Sequence, residues 1–194
     1  EQVAEMEAAV ERNPEDLALR GKLLEYYSAS ANEKEWGKHL TWLVERHPES
    51  PVLDGPGAAL WSVKGVLVDE ALVRTLRELW ERATVMNPSN VAVLRHAARF
   101  YRGNDLAAAI EALRRARGVD PQDRQVKQEL MVAGFSAWMA GGAPREELLR
   151  LLEGSKDAAE MGELGRMLVM RAEWRVTGVK LLEQAKALDP SDPR

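Results

Sequence analysis

The chain has 194 residues, 45% of them hydrophobic and 30% charged, and its 27 basic against 31 acidic side chains give a formal net charge of −4. This mild acidic excess argues against a nucleic-acid partner, because phosphate neutralisation requires a basic surface. The absence of cysteine excludes disulfides and thiolate metal sites, and no apolar run approaches the roughly 20 residues that cross a bilayer, so we expect no membrane insertion. Composition leaves the oligomeric state open, and it suits a cytoplasmic location and a periplasmic or secreted one equally.

Prolines recur at a nearly fixed interval. Five of them, each directly after a polar residue, are separated by 34, 40, 33 and 69 residues, the last being about two periods. They are Pro14, Pro48, Pro88, Pro121 and Pro190. A period in the thirties indicates stacked helical units that bury their apolar faces against one another. We therefore interpret residues 1–194 as a single repeat domain, with units at about 1–14 (partial), 15–48, 49–88, 89–121, 122–154 and 155–190.

The first three units follow from apolar spacing and capping residues. Residues 1–12 predict the lone second helix of a partial unit, and the next unit pairs helices over 16–28 and 33–46. Proline disfavours helix in the residue before it, so the second of these ends at His47-Pro48. A segment rich in proline and glycine then leads into a short helix over 58–63. Asp69 caps a longer helix that ends at Asn87-Pro88.

The remaining units carry clearer helix pairs. The predicted helices span 91–102 and 106–117, then 122–140 and 144–152, and finally 157–170 and 174–188. Ala97, Ala98 and Ala109 fall where the first of these pairs would touch, and small residues let helices approach closely. Gly162 and Gly165 are interpreted in the same way, as close-packing points. Residues 191–194 resemble the opening of another unit, so we expect the chain to be a fragment or processed form of a longer protein.

The unit over residues 89–121 carries a recognisable motif. Its landmark residues are Leu94, Ala98, Tyr101, Ala109, Leu113, Ala116 and Pro121, and the last unit repeats part of the pattern with Leu182, Ala185 and Pro190. They resemble the tetratricopeptide repeat. The resemblance implies an all-α fold, a right-handed α-solenoid of antiparallel helix pairs whose first helices line a concave groove for peptides or protein segments. Trp36, Leu76 and Gly178 stand where the motif prefers alanine, which predicts a locally distorted groove.

A basic stripe on one first helix is the leading candidate for partner binding. It consists of Arg95, Arg99 and Arg102, with His96 beside them. Spacings of four and three residues put the arginines on one face of the helix, and the resemblance places that face in the groove. Guanidinium groups bind carboxylates with paired hydrogen bonds, so an acidic peptide is one interpretation. A solvated face, or pairing with acids such as Asp105 and Glu111, is the other.

Trp61 and Gln128 complete the candidate partner-binding set. Aromatic side chains both fill cores and anchor interfaces. Trp36, Trp80 and Trp138 occupy packing positions and are expected in the core. Trp42 and Trp61 lie outside the packing pattern and are the candidates for exposed anchors.

No catalytic or cofactor motif is visible in the sequence. His39, His47 and His96 form no metal-ligand set, and no phosphate-binding glycine loop or serine-centred elbow is present. We therefore predict a non-enzymatic scaffold, without cofactor, that holds a protein or peptide in a preorganised groove. The alternative is a docking or oligomerisation domain of a larger enzyme or regulator. A helical-repeat RNA binder is the third hypothesis, and it would need a basic groove across several units.

Overall fold

The computed structural model describes residues 2–58, 69–139, 158–170 and 172–190. Regular structure within these ranges is entirely helical, which confirms the all-α prediction. The α-helices are α1 (Gln2–Arg12), α2 (Leu17–Ala29), α3 (Glu33–Arg46), α4 (Glu70–Met86), α5 (Val91–Tyr101), α6 (Leu106–Val119), α7 (Arg124–Met139), α8 (Ala158–Val169) and α9 (Arg175–Leu188). Short 3-10 turns occupy Pro51–Asp54, Pro56–Ala58 and Ala172–Trp174. The predicted helix over 144–152 lies outside the described residues, as does most of the one over 58–63.

Polar side chains begin several helices, and the cap at Asp69 is the one that the sequence predicted. The Asp69 carboxylate accepts a hydrogen bond from the backbone N–H of Ala71, and Asn32, Asn90 and Asp105 cap α3, α5 and α6 in the same manner. Such caps satisfy amides of the first turn that have no partner within the helix. Helices α3 and α4 end at the residues that precede His47-Pro48 and Asn87-Pro88. For the α-helices within the described residues, the predicted bounds are correct to within two or three residues.

The chain forms two compact units, Glu1–Pro121 and Gln122–Arg194. Their boundary follows Pro121, where a new repeat unit was predicted to begin. In the first unit each helix packs against the next, from α1 through α6. The fully buried side chains of its core include Leu23, Leu24, Trp36, Leu43, Leu76, Val93 and Leu94. The alanines at the predicted α5–α6 contact, Ala97, Ala98 and Ala109, are also buried.

Residues 51–58 form two 3-10 turns that pack against α2. Gly57 permits this approach, because a Cβ there would lie 2.6 Å from the backbone nitrogen of Glu25. The buried indole of Trp36 donates a 2.6 Å hydrogen bond from Nε1 to the Gly57 carbonyl oxygen. The predicted first helix of this repeat unit would begin at residue 58. Ala58 instead ends the second turn, and the rest of that prediction falls outside the described residues.

In the second compact unit, α8 and α9 pack closely and α7 packs against α8. Two glycines permit the α8–α9 contact: a Cβ on Gly178 would lie 2.7 Å from the Val169 nitrogen and 2.8 Å from the Gly165 oxygen. The core contains Met131, Leu164 and Leu168, with Phe135, Met167, Trp174 and Leu181 packed around them. A Cβ on Gly165 would lie 2.8 Å from Leu182 Cγ, so Gly165 is a close-packing point, as the sequence predicted. The same prediction for Gly162 is wrong, because a Cβ there would meet its nearest neighbours only at 3.6 and 3.8 Å.

Candidate functional site

Two arginines of the predicted basic stripe contact the same carboxylate, that of Asp54. Arg95 donates from Nη2 to Asp54 Oδ1 at 2.8 Å, and Arg99 donates from Nη1 to the same oxygen at 3.0 Å. His96 is 3% exposed; its Nδ1 donates to the Pro48 carbonyl oxygen at 2.8 Å and its Nε2 lies 3.4 Å from Asp54 Oδ2. Since Asp54 belongs to the 3-10 turn at 51–54, these contacts hold that turn against α5.

Within the basic stripe, then, Arg95 and Arg99 pair with an acid of their own chain. This is the second of the two interpretations, although the acid is Asp54 and not Asp105 or Glu111. Asp105 caps α6 and pairs with Arg77 at 3.1 Å. Arg102 lies at the C-terminal end of α5 and is exposed.

The charges around Asp54 set its protonation. Partial burial acts to raise the pKa of the carboxyl, but His96, Arg95 and Arg99 outweigh burial and hold the pKa below its usual range. Asp54 therefore stays ionised. Its negative charge pairs with the positive charges of Arg95 and Arg99, which would be costly to bury without a partner.

We expect Asp54→Asn to lower the thermal midpoint at pH 7 by about 4 °C, because the substitution leaves Arg95 and His96 with a weaker, neutral acceptor. The pKa of Asp54 in the folded state lies below its value of about 3.9 in the unfolded state. The stability that the ionised carboxylate contributes is therefore present above about pH 3.9 and is lost as pH falls through the folded-state pKa. The difference between wild type and variant should shrink below about pH 4. Circular dichroism melts from pH 7 to pH 2.5 measure it.

Glu78→Gln is the matched control, since Glu78 is an exposed acid of the same compact unit. It should leave the midpoint nearly unchanged. A difference between Asp54→Asn and wild type that stays constant down to pH 2.5 would contradict the role given to the Asp54 charge.

A second polar cluster joins the first three helices. Glu7 Oε1 accepts hydrogen bonds from the Tyr27 hydroxyl at 2.6 Å and from His39 Nε2 at 2.9 Å. Arg20 Nη1 lies 3.3 Å from His39 Nδ1, and since a guanidinium can only donate, Nδ1 is the acceptor in this contact. Partial burial acts to raise the pKa of Glu7, but the hydrogen bonds from Tyr27 and His39 prevail and lower it. The cluster fastens α1 to α2 and α3.

Trp42 contacts the edge of this cluster. The Arg20 guanidinium lies 3.5 Å from the centre of its ring, and Arg46 lies 5.7 Å away. The ring is half-buried by these cations, a cation–π arrangement. Trp36 and Trp80 are buried as predicted. Trp61 lies outside the described residues, as does the side chain of Trp138.

A further candidate site is a pocket of about 440 Å³ in the second compact unit, which we call the α7–α9 pocket. Helix α7 contributes Arg124, Lys127, Gln128 and Met131; α8 contributes Ala158, Ala159, Glu160, Gly162, Glu163 and Arg166; α9 contributes Leu182, Ala185 and Lys186, and Asp189 directly follows it. The volume is within the range of natural ligand sites. Gln128, a predicted contact residue, is thus placed at this pocket.

The lining of the α7–α9 pocket combines apolar and charged side chains. Met131, Leu182 and Ala185 supply apolar lining, and Gly162 adds no side chain. Basic side chains outnumber acidic ones four to three among the described lining residues. Of the acids, Glu163 accepts a 2.6 Å hydrogen bond from Arg166, and Glu160 is 8% exposed. The charged lining residues that α7 contributes, Arg124 and Lys127, are both basic.

Of the residues that line this pocket, sequence reasoning singled out only Gln128 as a contact residue. The lining residues recur on α7 at 124, 127, 128 and 131 and on α9 at 182, 185 and 186, which is one helix face in each case. That periodicity was visible in the sequence. The meeting of the faces was not, because it depends on tertiary packing.

The described residues contain no group of three His, Asp or Glu side chains placed to hold a metal ion. Within the same ranges, no helix is long and apolar enough to cross a membrane. Comparison with protein-family models gives no match, and comparison with curated proteins gives none either.

Proposed function

We propose that this chain is a non-enzymatic binding module, a tetratricopeptide-like α-solenoid of antiparallel helix pairs that holds a segment of a protein partner. The observation that supports this most is the α7–α9 pocket, which is lined by one face of each of three helices. A site built on helices is already ordered before the partner arrives, so binding does not require the receptor to be ordered first. The resemblance of the 89–121 unit to the tetratricopeptide motif supports the same class of function.

The partner segment in this proposal is acidic and carries one bulky apolar side chain. The apolar side chain enters the α7–α9 pocket, where Met131 and Leu182 provide contact surface. Acidic residues beside it meet Arg124 and Lys127 on the α7 edge. The amide of Gln128, which is exposed, can both donate to and accept from the backbone of the segment. Protein interfaces commonly combine buried apolar contacts with polar and charged ones, and this segment would make both.

Selection of a random peptide display library against the full chain tests this proposal. We expect the enriched peptides to combine a bulky apolar residue with neighbouring Asp or Glu. The double variant Arg124→Glu, Lys127→Glu should weaken their binding at least about tenfold, a change of roughly 1.4 kcal/mol, because attraction at the α7 edge becomes repulsion. Isothermal titration calorimetry at low and moderate salt measures the loss.

Arg175→Glu, Lys180→Glu is the matched control, since both residues are exposed on α9 and neither lines the pocket. It makes the same change in net charge within the same compact unit. Equal losses of peptide affinity in the two double variants would mean that binding depends only on overall charge, and would contradict binding at the α7–α9 pocket. A dimer in sedimentation experiments that dissociates only in the Arg124→Glu, Lys127→Glu variant would instead make a second copy of the chain the occupant.

A further inference from the structure

Three buried glycines lie in α8 and α9, and two of them have a packing reason to be glycine. A Cβ on Gly165 would lie 2.8 Å from Leu182 Cγ and 3.0 Å from the Gly178 oxygen. A Cβ on Gly178 would meet the backbone of Val169 and of Gly165 at 2.7–2.8 Å. At both positions any side chain would force the two helices apart.

Gly162 differs from both. A Cβ there would lie 3.6 Å from an Arg166 nitrogen and 3.8 Å from the Ala185 Cβ, which are ordinary contact distances. Gly162 lies inside α8, where glycine is less favourable than alanine because it loses more backbone freedom on folding. The packing of α8 against α9 therefore does not require glycine at this position, and helix formation disfavours it.

The place of Gly162 in the α7–α9 pocket supplies a reason for the glycine. The residue lines the pocket together with Ala158, Ala159 and Ala185, all with small side chains. A longer side chain at position 162 would project into the space that these residues leave open. We infer that Gly162 determines the size of the apolar side chain that the α7–α9 pocket accepts, an inference that rests on the proposed function.

A stability series tests first whether position 162 faces open space, and it needs no ligand. Gly162→Ala should raise the thermal midpoint by about 4 °C through helix propensity alone. Gly162→Leu should keep the midpoint at or above that of wild type, because its side chain enters the pocket. Gly165→Leu, the matched control three residues away, should lower it strongly. Equal losses for Gly162→Leu and Gly165→Leu would overturn the inference whatever the pocket binds.

A binding series then tests the size limit with 8-anilinonaphthalene-1-sulfonate, an aromatic anion that combines apolar bulk with negative charge. We expect saturable fluorescence enhancement with wild type, a change within about threefold for Gly162→Ala, and a loss of at least tenfold for Gly162→Leu. Arg124→Glu should weaken the same binding. Unchanged binding by Gly162→Leu, or no saturable binding by wild type, would overturn the role of Gly162.

Peptides from the display selection separate this inference from the proposed function. Their affinity for wild type should fall as the anchor is shortened from Trp to Leu to Ala, and Gly162→Leu should prefer the shortest anchor. If peptides bind at the α7 edge but their anchor preference is the same in Gly162→Leu, the inference fails and the proposed function stands. If the selection enriches no peptide while the dye still binds in a Gly162-dependent manner, the proposed function fails and the size limit at Gly162 stands.

Discussion

Replacing Trp36 with alanine is expected to lower the free energy of unfolding of the first compact unit by about 3–5 kcal/mol. Trp36 is fully buried in α3, and its indole donates a hydrogen bond to the Gly57 carbonyl oxygen. The substitution both opens a cavity and leaves that buried oxygen without its partner. Urea denaturation followed by circular dichroism measures the loss. A change below about 1 kcal/mol would contradict a core built around this indole.

Two further variants separate packing from hydrogen bonding at Trp36. Trp36→Phe keeps most of the apolar surface but removes the donor to Gly57, so its cost should be intermediate. Tyr26→Ala is the control for removing an aromatic ring, because Tyr26 is 48% exposed. It should cost little. A similar cost for Tyr26→Ala and Trp36→Ala would mean that burial is not the cause.

Replacing Gly178 with alanine should destabilise the second compact unit by about 1–3 kcal/mol, although alanine is the better helix former by about 1 kcal/mol. The added Cβ would overlap the Val169 nitrogen and the Gly165 oxygen, both of which are backbone atoms that no side-chain rotation can move away. Helices α8 and α9 must therefore separate. Thermal and urea unfolding followed by circular dichroism measures the effect, because this signal reports the helices of both compact units.

Gly118→Ala is the matched control for Gly178→Ala. Gly118 lies in the last turn of α6, and a Cβ there would meet nothing within 4 Å. This change should be neutral or slightly stabilising. If Gly178→Ala behaves like Gly118→Ala, the close approach of α8 and α9 is wrong.

The helices were predictable because their signals are local. Polar residues such as Asn32 and Asp69 cap helices through hydrogen bonds to amides two or three residues away, and His47-Pro48 ends a helix within its own dipeptide. The periodic spacing of apolar residues can likewise be recognised within a single helix. These features depend on no distant part of the chain, so the sequence alone contains them.

The candidate sites were less predictable because they depend on distant pairs. Asp54 lies 41 residues before Arg95, in a segment whose prolines and glycines indicated only a loop. The sequence shows the stripe of arginines, but it does not show that Asp54 is the carboxylate that pairs with Arg95 and Arg99. The α7–α9 pocket likewise depends on how three helix faces meet in the fold. The sequence does not distinguish Gly162 from Gly165, because the difference lies in the atoms that surround each of them.

The most direct test of the central claim is NMR spectroscopy of the chain with ¹³C-labelled methionine methyl groups, titrated with a peptide from the display selection. Met131 lines the α7–α9 pocket, whereas Met86 and Met170 are 73% and 82% exposed and lie outside it. We predict a saturable shift of the Met131 methyl resonance, intermolecular contacts from it to the apolar anchor, and no shift at Met86 or Met170. A peptide that binds while leaving Met131 unchanged would contradict binding in this pocket.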